Sequence, residues 1–167
     1  FMMPPELARM RGLDGGRVST RQQVLPRLNK ALEQRFGVPQ LARFFSASGV
    51  GLDRTLIQAR QLDFDTVAET TRQLLQAEAG FEVAYTRREL ESGSRQGAPH
   101  FEALRKSWHR ERSGDVMYAL KPYWMSAWSN DGTTHGSPHA YDTHVPLLFW
   151  GPAWVQPGRV DPRVEVT

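Results

Sequence analysis

The sequence predicts an α/β fold, and three observations carry that expectation. Leu25, Leu28, Leu32 and Phe36 recur at three- and four-residue spacing, the period of a helix with one buried face. Phe81-Glu82-Val83-Ala84-Tyr85-Thr86 and Val116-Met117-Tyr118-Ala119-Leu120 are short runs of strand composition. Helical and strand segments alternate along the chain, as layers of helix packed on sheet require. If a hairpin over residues 41–57 dominated, the class would be α+β instead.

The elements run in this order. Residues 4–18 carry Pro4, Pro5, Gly12, Gly15 and Gly16 and read as a loop. Ser19 or Thr20 caps a helix to about Phe36, with Pro26 near its start or kinking it and Gly37 as its stop. Leu41 to Ser46 is a strand, Gly49-Val50-Gly51 a turn, and Thr55-Leu56-Ile57 its returning partner. Asp63 or Asp65 opens a second helix to about Ala79, burying Val67, Leu74 and Leu75, with Gly80 as its cap. The 81–86 strand comes next, then a polar loop over 92–98 and a short helix from Pro99 to about His109. The 116–120 strand is next in line. Residues 121–146 read as irregular, and Leu147-Leu148-Phe149-Trp150-Gly151 reads as a short buried strand.

Composition narrows the function classes. The chain has 167 residues, enough for about one domain. Of the 21 cations 18 are arginine, against 18 acids, so the net charge is only +3. That excess recommends no nucleic-acid partner. There is no cysteine, which removes disulfides, thiolate metal sites and a cysteine nucleophile. No apolar run approaches the roughly 18 residues of a membrane span, and no signal peptide is visible. The opening Phe1-Met2-Met3-Pro4-Pro5 and the closing Arg163-Val164-Glu165-Val166-Thr167 read as cut ends, so the expectation is a fragment.

The chemistry concentrates at 129–151. Three of the five histidines, His135, His139 and His144, fall there beside Asp131 and Asp142. Imidazole and carboxylate are metal-ligand types, and α/β proteins place functional groups on loops beside strands. By spacing alone these groups are either ligands or loop histidines satisfied by backbone or water. His135 and His139 would share a face only on a helix, against which Gly136 and Pro138 argue.

The other stretches read more plainly. Ser46-Ala47-Ser48-Gly49 is turn chemistry without a nucleophile elbow. Gly12-Leu13-Asp14-Gly15-Gly16-Arg17 lacks the Gly-Lys-Ser/Thr of a phosphate loop. Tyr123, Trp124, Trp128, Trp150 and Trp154 read as packing, Arg105, Lys106, Arg110 and Arg112 as a solvated face, and Arg112-Ser113-Gly114-Asp115 as a turn.

Gly132-Thr133-Thr134-His135-Gly136-Ser137-Pro138 precedes Tyr141-Asp142-Thr143-His144-Val145-Pro146-Leu147-Leu148-Phe149-Trp150-Gly151. Together they resemble the carboxy-terminal motif of the alkaline phosphatase superfamily. The branch they resemble is that of the phosphate-irrepressible, single-chain bacterial enzymes, near the type I phosphodiesterase/nucleotide pyrophosphatases. Residues 112–116, 81–87 and 28–37 support the same resemblance. So does Met3-Pro4-Pro5-Glu6, which is similar to the segment just after that family's Asp-His-Gly ligand motif.

The resemblance implies part of a three-layer α/β/α sandwich. Residues 1–167 would be a single carboxy-terminal domain piece, with 19–86 as a peripheral subdomain and 110–167 in the catalytic core. It implies phosphomonoester hydrolysis with two zinc ions and a Thr or Ser nucleophile, the nucleophile and most ligands lying in an amino-terminal part absent from this chain. His135 is the implied zinc ligand. His144, Asp142 and Thr134 are implied supporting groups, and His139 has no implied role. The chain alone is expected to be inactive, its partners being that amino-terminal part and a small phosphate ester, in a periplasmic or secreted enzyme. A phosphodiesterase or sulfatase relative is an alternative. So is a stand-alone binding module that exposes a large apolar patch and self-associates.

Overall fold

The computed structural model describes residues 3–126, 132–144, 146–151 and 153–162. The elements run α1 (Pro5–Met10), β1 (Gly16–Val18), a π-helical turn (Thr20–Val24), α2 (Leu25–Phe36), β2 (Ala42–Ser46), β3 (Gly49–Leu52) and α3 (Arg54–Ala59). They continue with α4 (Phe64–Ala77), β4 (Phe81–Thr86), α5 (Arg87–Ser92), α6 (Phe101–Ser107), β5 (Val116–Leu120), β6 (Trp124–Ser126) and α7 (Ala140–Thr143).

A four-stranded sheet of order β2-β3-β5-β4 lies at the centre, with every neighbouring pair antiparallel. Successive side chains of a strand point to opposite faces, and β5 uses both. Val116, Tyr118 and Leu120 join Leu28 and Leu32 of α2 and Val67 and Leu75 of α4. Met117 and Ala119 join Leu90 of α5 and Phe101 and Leu104 of α6. Helices therefore cover both faces, making three layers.

Aromatic rings fill each interface edge to face, as their quadrupoles favour. Phe45 stands 5.2 Å from Tyr118 on the first face, and Tyr85 stands 5.0 Å from Phe101 on the second. Each fully buried Leu or Phe contributes about 1.5–3 kcal/mol, and Leu32, Phe45 and Phe101 are among the largest such side chains.

Several elements differ from the sequence reading for identifiable reasons. The Gly49-Val50-Gly51 stretch is the strand β3, and the turn before it spans Ser46–Gly49. The Phe44 ring closes on Gly51, where a Cβ would collide with its Cε1. Glycine is there for close approach across the pair, not for a turn. Thr55, Leu56 and Ile57 belong to α3, because the Asp53 carboxylate accepts the Leu56 N–H at 2.8 Å and caps a helix.

The segment read as one helix from Ser19 opens with the π-helical turn. Pro26 sits in the first turn of α2, where its missing N–H costs nothing. The segment 4–18, expected as a loop, contains α1 and β1, and β1 pairs in parallel with β6. Helix α5 arises from a capping box in which Thr86 and Glu89 exchange side-chain-to-backbone bonds.

The expected buried strand at 147–151 does not form. Leu147, Leu148, Phe149 and Trp150 are irregular and exposed, Trp150 to 91%. A buried strand needs a partner strand and a covering layer, and among the described residues none lies beside this run.

A candidate metal centre beside the 132–144 loop

Gly132 to His144 is held against the sheet at named points. Arg17, itself paired with Glu6 at 2.9 Å, donates to the Gly132 carbonyl at 3.1 Å. The Arg17 guanidinium pulls the Glu6 carboxyl down to about 2, so the pair stays charged across ordinary pH. Tyr141 stacks on Tyr123 with centroids 5.1 Å apart, and its hydroxyl accepts the Tyr123 N–H at 3.1 Å. His139 donates from Nε2 to the Leu120 carbonyl at 2.9 Å, at the end of β5.

The implied site residues fall within this frame. His135 is exposed, between the Gly132 and His139 anchors, and Thr134 beside it is half-buried. The Asp142 carboxylate accepts the Ser137 N–H at 2.9 Å and the Ser137 hydroxyl at 2.6 Å, closing the loop on itself. His144 is exposed, and its N–H ends α7 on the Ala140 carbonyl at 3.0 Å. Asp131, Trp128 and Val145 lie outside the described residues.

The donors that converge are different ones. Among the described residues, Glu82, His100 and His139 form a group whose metal-ligating atoms all lie within 4.8 Å of one another. His100 Nε2 is 3.2 Å from Glu82 Oε2, and His139 Nε2 is 3.8 Å from it. His135 and His144 stand outside the group. Sequence reasoning misses it because its members come from three distant segments: β4, the residue before α6, and the residue before α7. Spacing motifs detect ligands carried by one element, and no such signal exists here.

The remaining candidates take structural roles. Ser46 and Ser48 share a hydroxyl contact of 2.8 Å in the β2–β3 turn. Arg110 pairs with Glu91 at 3.1 Å, and Arg105 donates to the Leu90 carbonyl at 3.1 Å. Asp115 accepts the Leu52 N–H at 2.9 Å and pairs with Arg54, fixing β3 to β5. Trp124 lies against Gly16 and Gly80. Among the described residues no helix is long and apolar enough to cross a membrane.

No family model matches the chain. It is 32% identical over 146 residues to a protein named calcium-transporting ATPase from Myroides odoratus, covering 84% of this chain and 25% of that protein. It is 29% identical over 124 residues to alkaline phosphatase PafA of Elizabethkingia meningoseptica, covering 74% of this chain and 22% of the enzyme. It is 31% identical over 135 residues to alkaline phosphatase PhoK of a Sphingomonas species, covering 74% of this chain and 24% of the enzyme.

The crystal structure of wild-type PafA superposes with a TM-score of 0.71 at 21% identity, over 84% of this chain and 26% of that one. The chain therefore resembles the alkaline phosphatase superfamily in sequence and shares part of the PafA fold. It spans about a quarter of the length of these relatives.

Proposed function

We propose that this chain is a portion of a zinc-dependent phosphomonoesterase of the alkaline phosphatase type, to which it contributes one metal ligand, His135. The observation that carries the reading is the joint sequence and fold similarity to alkaline phosphatases, together with the Thr134-His135-Gly136 motif. The phosphatase names are preferred to the transport name because the solved structures that share the fold are phosphatases.

One exposed imidazole suits a single place in a ligand set and cannot make a tight site alone, since zinc takes about three or four protein ligands. The remaining ligands and the Thr or Ser nucleophile belong, in this reading, to an amino-terminal part. Bound zinc supplies Lewis acidity and activates the nucleophile. The chain's own residues position the ligand. Arg17 holds the Gly132 carbonyl, Asp142 closes the loop through Ser137, and Tyr141 and His139 fasten its far end. Thr134, the chain neighbour of His135, and His144 act as supporting groups in this reading.

In the same reading, 110–167 lies in the catalytic core, 19–86 is a peripheral subdomain, and the enzyme is periplasmic or secreted. The exposed run of Leu147, Leu148, Phe149 and Trp150 packs against the amino-terminal part and drives self-association when uncovered.

The test is zinc-supplemented hydrolysis of p-nitrophenyl phosphate. The 167-residue chain should show none. His135→Ala in the full-length gene product should lower kcat by at least two orders of magnitude while far-UV circular dichroism is unchanged. Turnover by the chain alone, abolished by His135→Ala, would overturn the reading, and so would a full-length His135→Ala enzyme of undiminished activity.

A further inference from the structure

We infer that Glu82, His100 and His139 form a second site for a divalent ion of the zinc class, distinct from His135 and independent of the phosphatase reading. The donor set is two imidazoles and a carboxylate, a combination suited to zinc. Its members are brought together by three separate features of the backbone. The β4–β5 register shifts between Phe81 and Val83, which leaves Glu82 as the extra residue of a bulge. Bulges re-aim side chains beside functional sites. His100 holds a left-handed backbone, φ +57°, immediately before α6, a conformation uncommon for a residue with a Cβ. His139 immediately precedes α7, and its side chain is only 8% exposed.

The contact with Leu120 fixes the tautomer of His139. A carbonyl can only accept, so the 2.9 Å contact with Leu120 puts a proton on His139 Nε2. The neutral ring then keeps its lone pair on Nδ1. Metal-binding histidines commonly anchor their other nitrogen on a carbonyl in this way. The His100 and His139 rings stand edge to face at 4.9 Å and 87°, so they do not stack and block each other. Ligand atoms around one tetrahedral zinc stand about 3.3 Å apart at bond lengths of about 2.0–2.1 Å. The present spacing is within 4.8 Å, and His139 approaches Glu82 with Nε2, at 3.8 Å, so taking up an ion requires the side chains to turn and present Nδ1. Three protein ligands leave a fourth position for water. The ion would join β4, the start of α6 and the start of α7, where His100 already hydrogen-bonds Glu82 at 3.2 Å and His139 meets them only by a ring contact with His100 and a 3.8 Å approach to Glu82.

The site is tested by titrating the 167-residue chain with Co(II) and Zn(II), following cobalt d–d absorption and thermal unfolding together. One equivalent should bind with a dissociation constant of micromolar or below and raise the Tm. Glu82→Gln and His100→Asn, which leave the His139–Leu120 bond in place, should each weaken binding at least tenfold and abolish the Tm rise. His135→Ala should change neither. The inference is overturned if a folded wild-type chain binds no ion, leaving a hydrogen-bonded cluster only. It is equally overturned if Glu82→Gln and His100→Asn bind like wild type, or if His135→Ala removes the binding.

Discussion

The central sheet and the 146–160 segment both carry runs of large apolar side chains, and those runs have opposite fates. Val116 to Leu120 is sheathed on both faces, with Val116 fully buried. Leu148, Phe149, Trp150 and Trp154 all stand in solvent, Trp150 the most and Phe149, at 72% exposure, the least. The difference teaches that composition sets only the demand for burial. Supply comes from neighbours: β4 and β3 on either side of β5, and α2, α4, α5 and α6 above and below it.

The sharpest way to break this contrast is to truncate one ring in each region. Phe101→Ala should cost about 3–5 kcal/mol, read as a fall in the urea midpoint at unchanged slope. Trp150→Ala should stay within about 0.5 kcal/mol of wild type and, if this run is the interface proposed above, should lower self-association in sedimentation velocity. Equal destabilisation by the two would erase the distinction.

A smaller effect sharpens the contrast from the side of pH. Burial against Phe45 and Phe81 pushes the Tyr118 phenol up to about 12. The folded state therefore keeps a proton that the unfolded chain gives up near its ordinary value of about 10. Stability from this group is full below about pH 10 and is lost as pH rises toward 12. The loss should be on the order of 1–3 kcal/mol. Tyr118→Phe should flatten that part of the stability-versus-pH curve, and an unchanged slope would mean the ring is not sealed in the core.

The smallest effect concerns a helix end rather than the core. Asp63 caps α4 by accepting the Thr66 N–H at 2.7 Å, and the Thr66 hydroxyl together with that bond holds its carboxyl below the usual range. Asp63→Ala should lower the midpoint in the same urea experiment by clearly less than Phe101→Ala does. A cost as large as that of Phe101→Ala would shift the weight of stability from packing to capping.

Legibility in the sequence divides along the same line. Helix α4 with its Asp63 cap, and strands β4 and β5, are readable because local propensity and tertiary burial agree there. Strand β3 is not, because Gly51 answers to the Phe44 ring and Gly49 to the Val116 carbonyl, contacts the local sequence does not announce. The 147–151 run misleads for the converse reason, since its composition asks for a sheet neighbour that no described strand supplies. His135 is legible only through a motif. His139 is legible as a candidate donor, but its partners Glu82 and His100 are not, because they reach it through the fold, by a bulge and a left-handed turn.

The anchoring of Gly132 and His139 also has an entropic meaning. His135 lies three residues from one fixed point and four from the other, so at about 3.3–3.6 Å per residue it lies no more than roughly 10 Å from the Gly132 tether. A group tethered by so short a segment is present at an effective concentration of about millimolar. If His135 ligates a metal as proposed, an imidazole delivered in this way completes a coordination shell that it would not fill as a freely diffusing ligand.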